Sequence, residues 1–212
     1  MTNSLMTIER QPETGGELLR IVRINEEIKR VVSFSFKINI MALNAIFLAK
    51  RAGTAARGFG VLSNEFRNFS QDLRSSMAAL SGLVYRCVSE VSLIMQDRRL
   101  LRLLQETERR APQAVLADIL QRREQQSRVR RESLSSVRGQ LQRALEDACQ
   151  MVELGGVLAK SAKIEAAYGQ GFAAALAQVS GEFDQIVEEI RQALGILRRS
   201  AFFNGNRDEL KA

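Results

Sequence analysis

"NIMALNAIFLAKRAGTAARGF", residues 39–59, is small and apolar up to Lys50, then breaks at Gly53 and again at Gly58. One clean segment with a turn in its middle, inside an otherwise charged chain, needs a physical cause. Working outward from it, the upstream apolar positions fall at steps of three and four: Leu18, Ile21 or Val22, Ile28, Val31 or Val32, Phe36, Ile40, Leu43 and Phe47. That spacing predicts an amphipathic helix from Glu17 to about Ala52. Gly53 supplies the stop, because glycine accepts the left-handed geometry that closes helices.

Downstream, a second helix is predicted from about Arg57. Phe66, Leu73, Leu80, Cys87, Ile94 and Leu101 are spaced by seven without exception, with Leu62, Phe69, Met77, Val84 and Val91 in the intermediate rows. Sustained heptads indicate a coiled-coil seam. Pro112 breaks it, since proline removes a backbone donor and disfavours helical geometry at Ala111. A third helix resumes at about Gln113, its start "QRREQQSRVRRES" too polar to be expected to hold firmly. From Leu134 a seam returns through Leu141, Cys149 (near Ala148), Val152, Leu158 and Ala162. "YGQG", residues 168–171, is a further reversal, and a fourth helix is predicted from Phe172 to about Arg199.

Four seams joined by three breaks are all buried in an all-α, elongated, antiparallel four-helix bundle. The expected organisation is a flexible leader over 1–16, a first hairpin over 17–111, a second and degenerate hairpin over 112–200, and a tail over 201–212. The hairpins resemble each other: "SNEFRNFSQDLR" (63–74) and "SGEFDQIVEEIR" (180–191) align without gaps at a shift of 117. The same shift pairs Ala42 with Ala159, Ala45 with Ala162 and Ala49 with Ala166, which reads as an internal duplication.

Composition narrows the chemistry. The chain has 212 residues, 2 Pro, no Trp and no His, so a His-ligated metal or a His general base is excluded. No phosphate-cradling glycine loop and no cluster of acids on one apolar face is present, so no catalytic, cofactor or metal residue is assigned. Cys87 and Cys149 fall in apolar rows and read as reduced core thiols. Formal charge is +7, but basic and acidic residues alternate along the helices, as in "DRRLLRLLQETERR", and read as a solvated face. No signal peptide is apparent, and no window is expected to approach the ~20 apolar residues of a membrane span. A cytoplasmic protein is the expectation.

Asn39, Ala42, Leu43, Asn44, Ala45, Ala49, Arg51, Ala52, Gly53, Arg57, Gly58, Phe59, Val61, Glu65 and Arg67 stand at the offsets of a known pattern. With them, residues 30–80 resemble the cytoplasmic signalling tip of bacterial chemoreceptors, the methyl-accepting chemotaxis proteins; residues 157–195 do so faintly. The resemblance implies a hairpin tip whose arms pack closely through Ala42, Ala45 and Ala49. It implies that Phe36, Asn44 and Arg51 join receptor tips to one another. It further implies that Ile40, Leu43, Arg57 and Val61 contact a coupling protein and a histidine kinase. Departures bear on both contacts: Leu48 and Thr54 replace glutamates, Ala56 a glycine and Lys50 an alanine, and Tyr168 stands where the second hairpin would carry arginine.

The implied protein is a non-catalytic signalling module lacking a sensor domain or methylation segment. Its implied partners are the chemotaxis kinase and coupling protein or receptor tips, with self-association possible on the same surfaces. The alternative from a different class is a basic helical bundle that binds a membrane surface or nucleic acid through residues 98–110 and 121–131. The weakness of this alternative is that no helix-turn-helix, zinc or aromatic stacking motif accompanies the charge, and nucleic acid is not the expected partner.

Overall fold

The computed structural model describes residues 13–111 and 114–200. Helix α1 spans Glu13–Ala52, α2 Arg57–Arg110, α3 Ala114–Ala167 and α4 Ala173–Arg199, and no strand occurs among the described residues. Short 3₁₀ turns, Gly53–Ala56 and Gln170–Phe172, join α1 to α2 and α3 to α4. Helix α2 lies against α1 and α3, and α4 against α3 and α1. The result is an all-α antiparallel bundle. Three helices end on basic pairs, Lys50–Arg51, Arg109–Arg110 and Arg198–Arg199, which suit the negative pole of the helix dipole.

Helix α1 starts at Glu13, four residues before the expected Glu17, so 13–16 belong to a helix rather than to the leader; residues 1–12 and 201–212 lie outside the described residues. Helix α3 is continuous from Ala114, and its polar first part holds Leu120 and Ser127 buried. At 54 residues each, α2 and α3 are about 80 Å long. Helices α1 and α4 have 40 and 27 residues, so among the described residues one end of the rod is built by the α2–α3 pair alone.

Both Gly-containing turns lie at the other end. A side chain added at Gly58 would meet the Glu165 carboxylate, so the start of α2 presses on the end of α3. In the middle of the bundle Gly155 serves a similar close approach, with the Phe69 ring lying where a Cβ would stand. The residues at the 117 shift from this pair are Ile38 and Ile186, both buried. A ring facing nothing on one side is matched by two branched side chains of intermediate size on the other.

The amphipathic face of α1 differs from the expected one. Buried positions are Ile24, Ile28, Val31, Ile38 and then Ala42, Ala45 and Ala49, whereas Phe36, Ile40 and Phe47 are exposed. Near the turn, where helices approach closely, only methyl side chains fit inside. The large apolar residues are turned outward. This also corrects the expectation about apolar windows. Within the helical run Ile21–Arg110, one 18-residue window reaches a mean hydropathy of 1.7, long and apolar enough by composition to cross a membrane.

The charged face departs from expectation at one place. Asp97 is buried, and its Oδ2 lies 2.8 Å from Nη1 of Arg130, itself only 24% exposed. This pair sits inside the α2–α3 seam, next to a small core of Cys87, Ile94, Leu134 and Val137. Cys87 is fully buried, but Cys149 is only half-buried because Ala148 takes the inward position.

Candidate functional site

Helical geometry alone assembles the first surface. Phe36, Ile40, Leu43 and Phe47 follow at steps of four, three and four, which puts them on one side of α1. Phe36 is 53% exposed, Ile40 44% and Phe47 63%, and Leu43 is half-buried. Asn44 and Arg51 on α1 are exposed, as is Arg57 at the first residue of α2. Val61, one turn further along α2, is 59% exposed. Single exposed hydrophobes are ordinary; here they stand in a row along one helix. All seven sequence-predicted positions therefore border solvent on the two arms of one hairpin.

What holds them there is the turn. Gly53 has φ +67°, with open space where a Cβ would stand, so glycine serves the backbone and not the packing. Ala56 and Phe59 are buried beneath the reversal and fix the start of α2. No acidic residue occurs between Glu27 and Glu65, while Lys29, Arg30, Lys37, Lys50, Arg51 and Arg57 do. The hairpin tip is cationic, and the other hairpin brings a carboxylate, that of Glu165, against its Gly58.

A second surface went unassigned in the sequence. Leu154, Val157 and Ile164 on α3, and Tyr168 in the turn just past it, are each at least 60% exposed and follow one another at helical steps along one side. Val157, Ile164 and Tyr168 are the counterparts of Ile40, Phe47 and Arg51 at the shift of 117. That shift was the signal that could have found them. Among the described residues, no group of three or more His, Cys, Asp or Glu side chains is placed to hold a metal ion.

No protein-family model matches the chain, and no solved structure matches it significantly. Curated relatives do match. Methyl-accepting chemotaxis protein IV of Escherichia coli is 29% identical over 91 residues, 43% of this chain and 15% of its own length. Methyl-accepting chemotaxis protein TlpQ of Pseudomonas aeruginosa is 33% identical over 73 residues, 32% of this chain and 10% of its own. Methyl-accepting chemotaxis protein I of Escherichia coli is 34% identical over 71 residues, 34% of this chain and 13% of its own. The matched part is thus a small fraction of each relative. Within those limits, the chain carries a helical domain similar to that of methyl-accepting chemotaxis proteins.

Proposed function

We propose that this protein is a non-catalytic, cytoplasmic module of chemotaxis-type signal transduction, acting through the tip of its first hairpin. The two hairpins, 17–111 and 112–200, form paired units of one chain. Ile40, Leu43, Arg57 and Val61 contact a coupling protein and histidine kinase, and Phe36, Asn44 and Arg51 contact other tips. The observation that carries this reading is the exposed stripe beside the Gly53 reversal, apolar and flanked by arginine. Interface cores favour that mixture, with Arg enriched and Lys depleted. Signals would pass as small shifts of helix packing, without chemistry.

The test is capture of the coupling protein and kinase of the same cell by the purified chain, at low and at high salt. Arg57→Glu and Val61→Glu should each weaken capture at least about tenfold, as removal of a central contact does. Arg143→Glu, on an exposed part of α3 away from the tip, should leave it unchanged. Equal loss from Arg57→Glu and Arg143→Glu would mean diffuse electrostatics and would defeat the proposal.

A further inference from the structure

The end of the rod opposite the tip has a different chemistry. Past the reach of α1 and α4, the α2–α3 pair closes on a thin seam: Asp97, Leu101 and Leu104 of α2 against Leu116, Leu120 and Ser127 of α3, all buried or half-buried. Residues flanking that seam are sorted by side. Four of the six residues immediately before these seam positions are apolar, Leu100, Leu103, Val115 and Ile119, the other two being Gln96 and Gln126; Val129 stands before Arg130. The residues immediately after carry the arginines, Arg98, Arg102 and Arg128, with Arg109 after half-buried Glu108 and Arg131 after Arg130; Gln105, Ala117 and Gln121 complete that side.

At 100° per residue, "before" and "after" are opposite flanks of a helix. In an antiparallel pair, equivalent flanks of the two helices lie on the same side of the seam, as e and g positions do in coiled coils. The hairpin therefore has one apolar side and one arginine side. Leu103 is 60% exposed and Val115 70%, and Arg98, Arg102, Arg109 and Arg128 are exposed. Two cations stand on the apolar side, each held by an acid of its own helix: Arg122 by Asp118 at 2.8 Å, and Arg110, seven residues from Leu103, by Glu106 at 2.9 Å.

Residues 98–131 contain ten arginines and four acids, nearly the whole surplus of the chain. Such a charge selects an anionic partner and opposes pairing with a second copy of the same end. No Phe, Tyr or Trp occurs between Tyr85 and Tyr168, so bases of a nucleic acid would find nothing to stack on. Exposed leucines also have no role against a phosphate backbone. Both features suit a helix pair lying in the interface of a negatively charged bilayer, apolar side down and arginines at headgroup level. We propose that the α2–α3 end of the rod is an anionic-membrane docking surface, which leaves the hairpin tip free at the opposite end.

The experiment is cosedimentation of the full chain with vesicles of phosphatidylcholine alone and of phosphatidylcholine with phosphatidylglycerol. Binding should favour the anionic vesicles by about tenfold or more, and should weaken with salt. The pair Leu103→Gln/Val115→Gln should lose binding at least about tenfold at constant helicity, and so should Arg102→Ser/Arg109→Ser/Arg128→Ser. The glutamine variants lie on the surface, and circular dichroism reports whether they fold. Absence of binding by the unaltered chain, equal binding by the glutamine pair, or loss through Phe47→Gln in place of the distal changes would overturn the proposal. Tighter binding to a DNA or RNA oligonucleotide than to anionic vesicles at the same salt would overturn it too.

Discussion

Phe66 of α2 and Phe183 of α4 stack face to face, their ring centroids 3.9 Å apart and their planes within 4°. The two residues are separated by 117 positions, the shift that aligns the hairpins. Each ring is therefore the counterpart of the other, and the contact falls where an axis relating the hairpins would run. Both are fully buried. Replacing either with alanine should destabilise the chain by about 3–5 kcal/mol, the usual range for a buried Phe. A double-mutant cycle in urea should show a coupling of about 0.5–1.5 kcal/mol, because the stacking itself is lost only once. Strictly additive losses would show that the rings fill space independently.

The two turns offer a comparison within one molecule. Gly53 has φ +67°, and its counterpart Gln170 has φ +49°. The backbone shape is retained while glycine is not, so Gln170 bears strain that Gly53 avoids. Gly53→Ala should destabilise by about 1 kcal/mol, and Gln170→Gly should stabilise by about 0.5–1 kcal/mol once the looser unfolded chain is counted. Thermal melts of both variants decide it, the opposite sign at either site being the failing result.

Much of the architecture was legible because heptad spacing survives in the sequence. Phe66, Leu73, Leu80 and Cys87 are buried as their spacing of seven requires, and the starts of α2 and α4 fall within a residue of expectation. The misses share a cause: periodicity locates faces but does not say which face turns inward. In α1 the rows of alanine and of large hydrophobes both repeat at helical steps, and only the closeness of the neighbouring helices puts Ala42, Ala45 and Ala49 inside. Gln170 was hidden because "YGQG" offers two glycines, and neither is the residue with positive φ; Gly169 has φ −72° and is needed for the Leu176 side chain, which lies where its Cβ would be. Asp97 was hidden among solvated charges because its partner, Arg130, comes from another helix. Of the candidate contact residues, those on the first hairpin were legible from glycine, asparagine and arginine offsets. The α3 stripe carries no such offsets.

Cys149 provides a test by pH. Burial pushes its thiol above the ordinary value; Arg198 opposes this, while Glu153 and Glu146 add to it. The thiolate is the reactive form, so alkylation should stay slow at neutral pH and rise only above the pH at which an exposed cysteine responds. Arg198→Gln removes the opposing charge and should lower the labelling rate several-fold at pH 8, whereas Glu146→Gln should raise it. Rates unaffected by either change would show that burial alone governs the thiol. Cys87, which is fully buried, should label only with unfolding.

The Asp97–Arg130 pair decides how the thin end of the rod is specified. Asp97 is held in the seam between Ile94 and Leu101, in a row that leucine would fill, and Nη1 of Arg130 also reaches the Leu93 carbonyl at 3.5 Å. Near it, Ser133 donates to Glu90 at 3.1 Å, a second polar link across the same two helices. Breaking a fully buried ion pair commonly costs about 3–5 kcal/mol; with part of Arg130 in water, Asp97→Ala should destabilise by about 2 kcal/mol. Replacing both partners with leucine should instead be neutral or stabilising by about 1–4 kcal/mol, because two charges no longer need desolvation. The gain should appear with a loss of specificity. With the buried charge pair gone the seam is freer to slide or to recruit a second copy, so the double variant should elute as mixed oligomers at concentrations where the parent chain gives one species. A double variant that is both less stable and uniform in size would mean that the pair contributes stability outright, and that register at this end is set elsewhere.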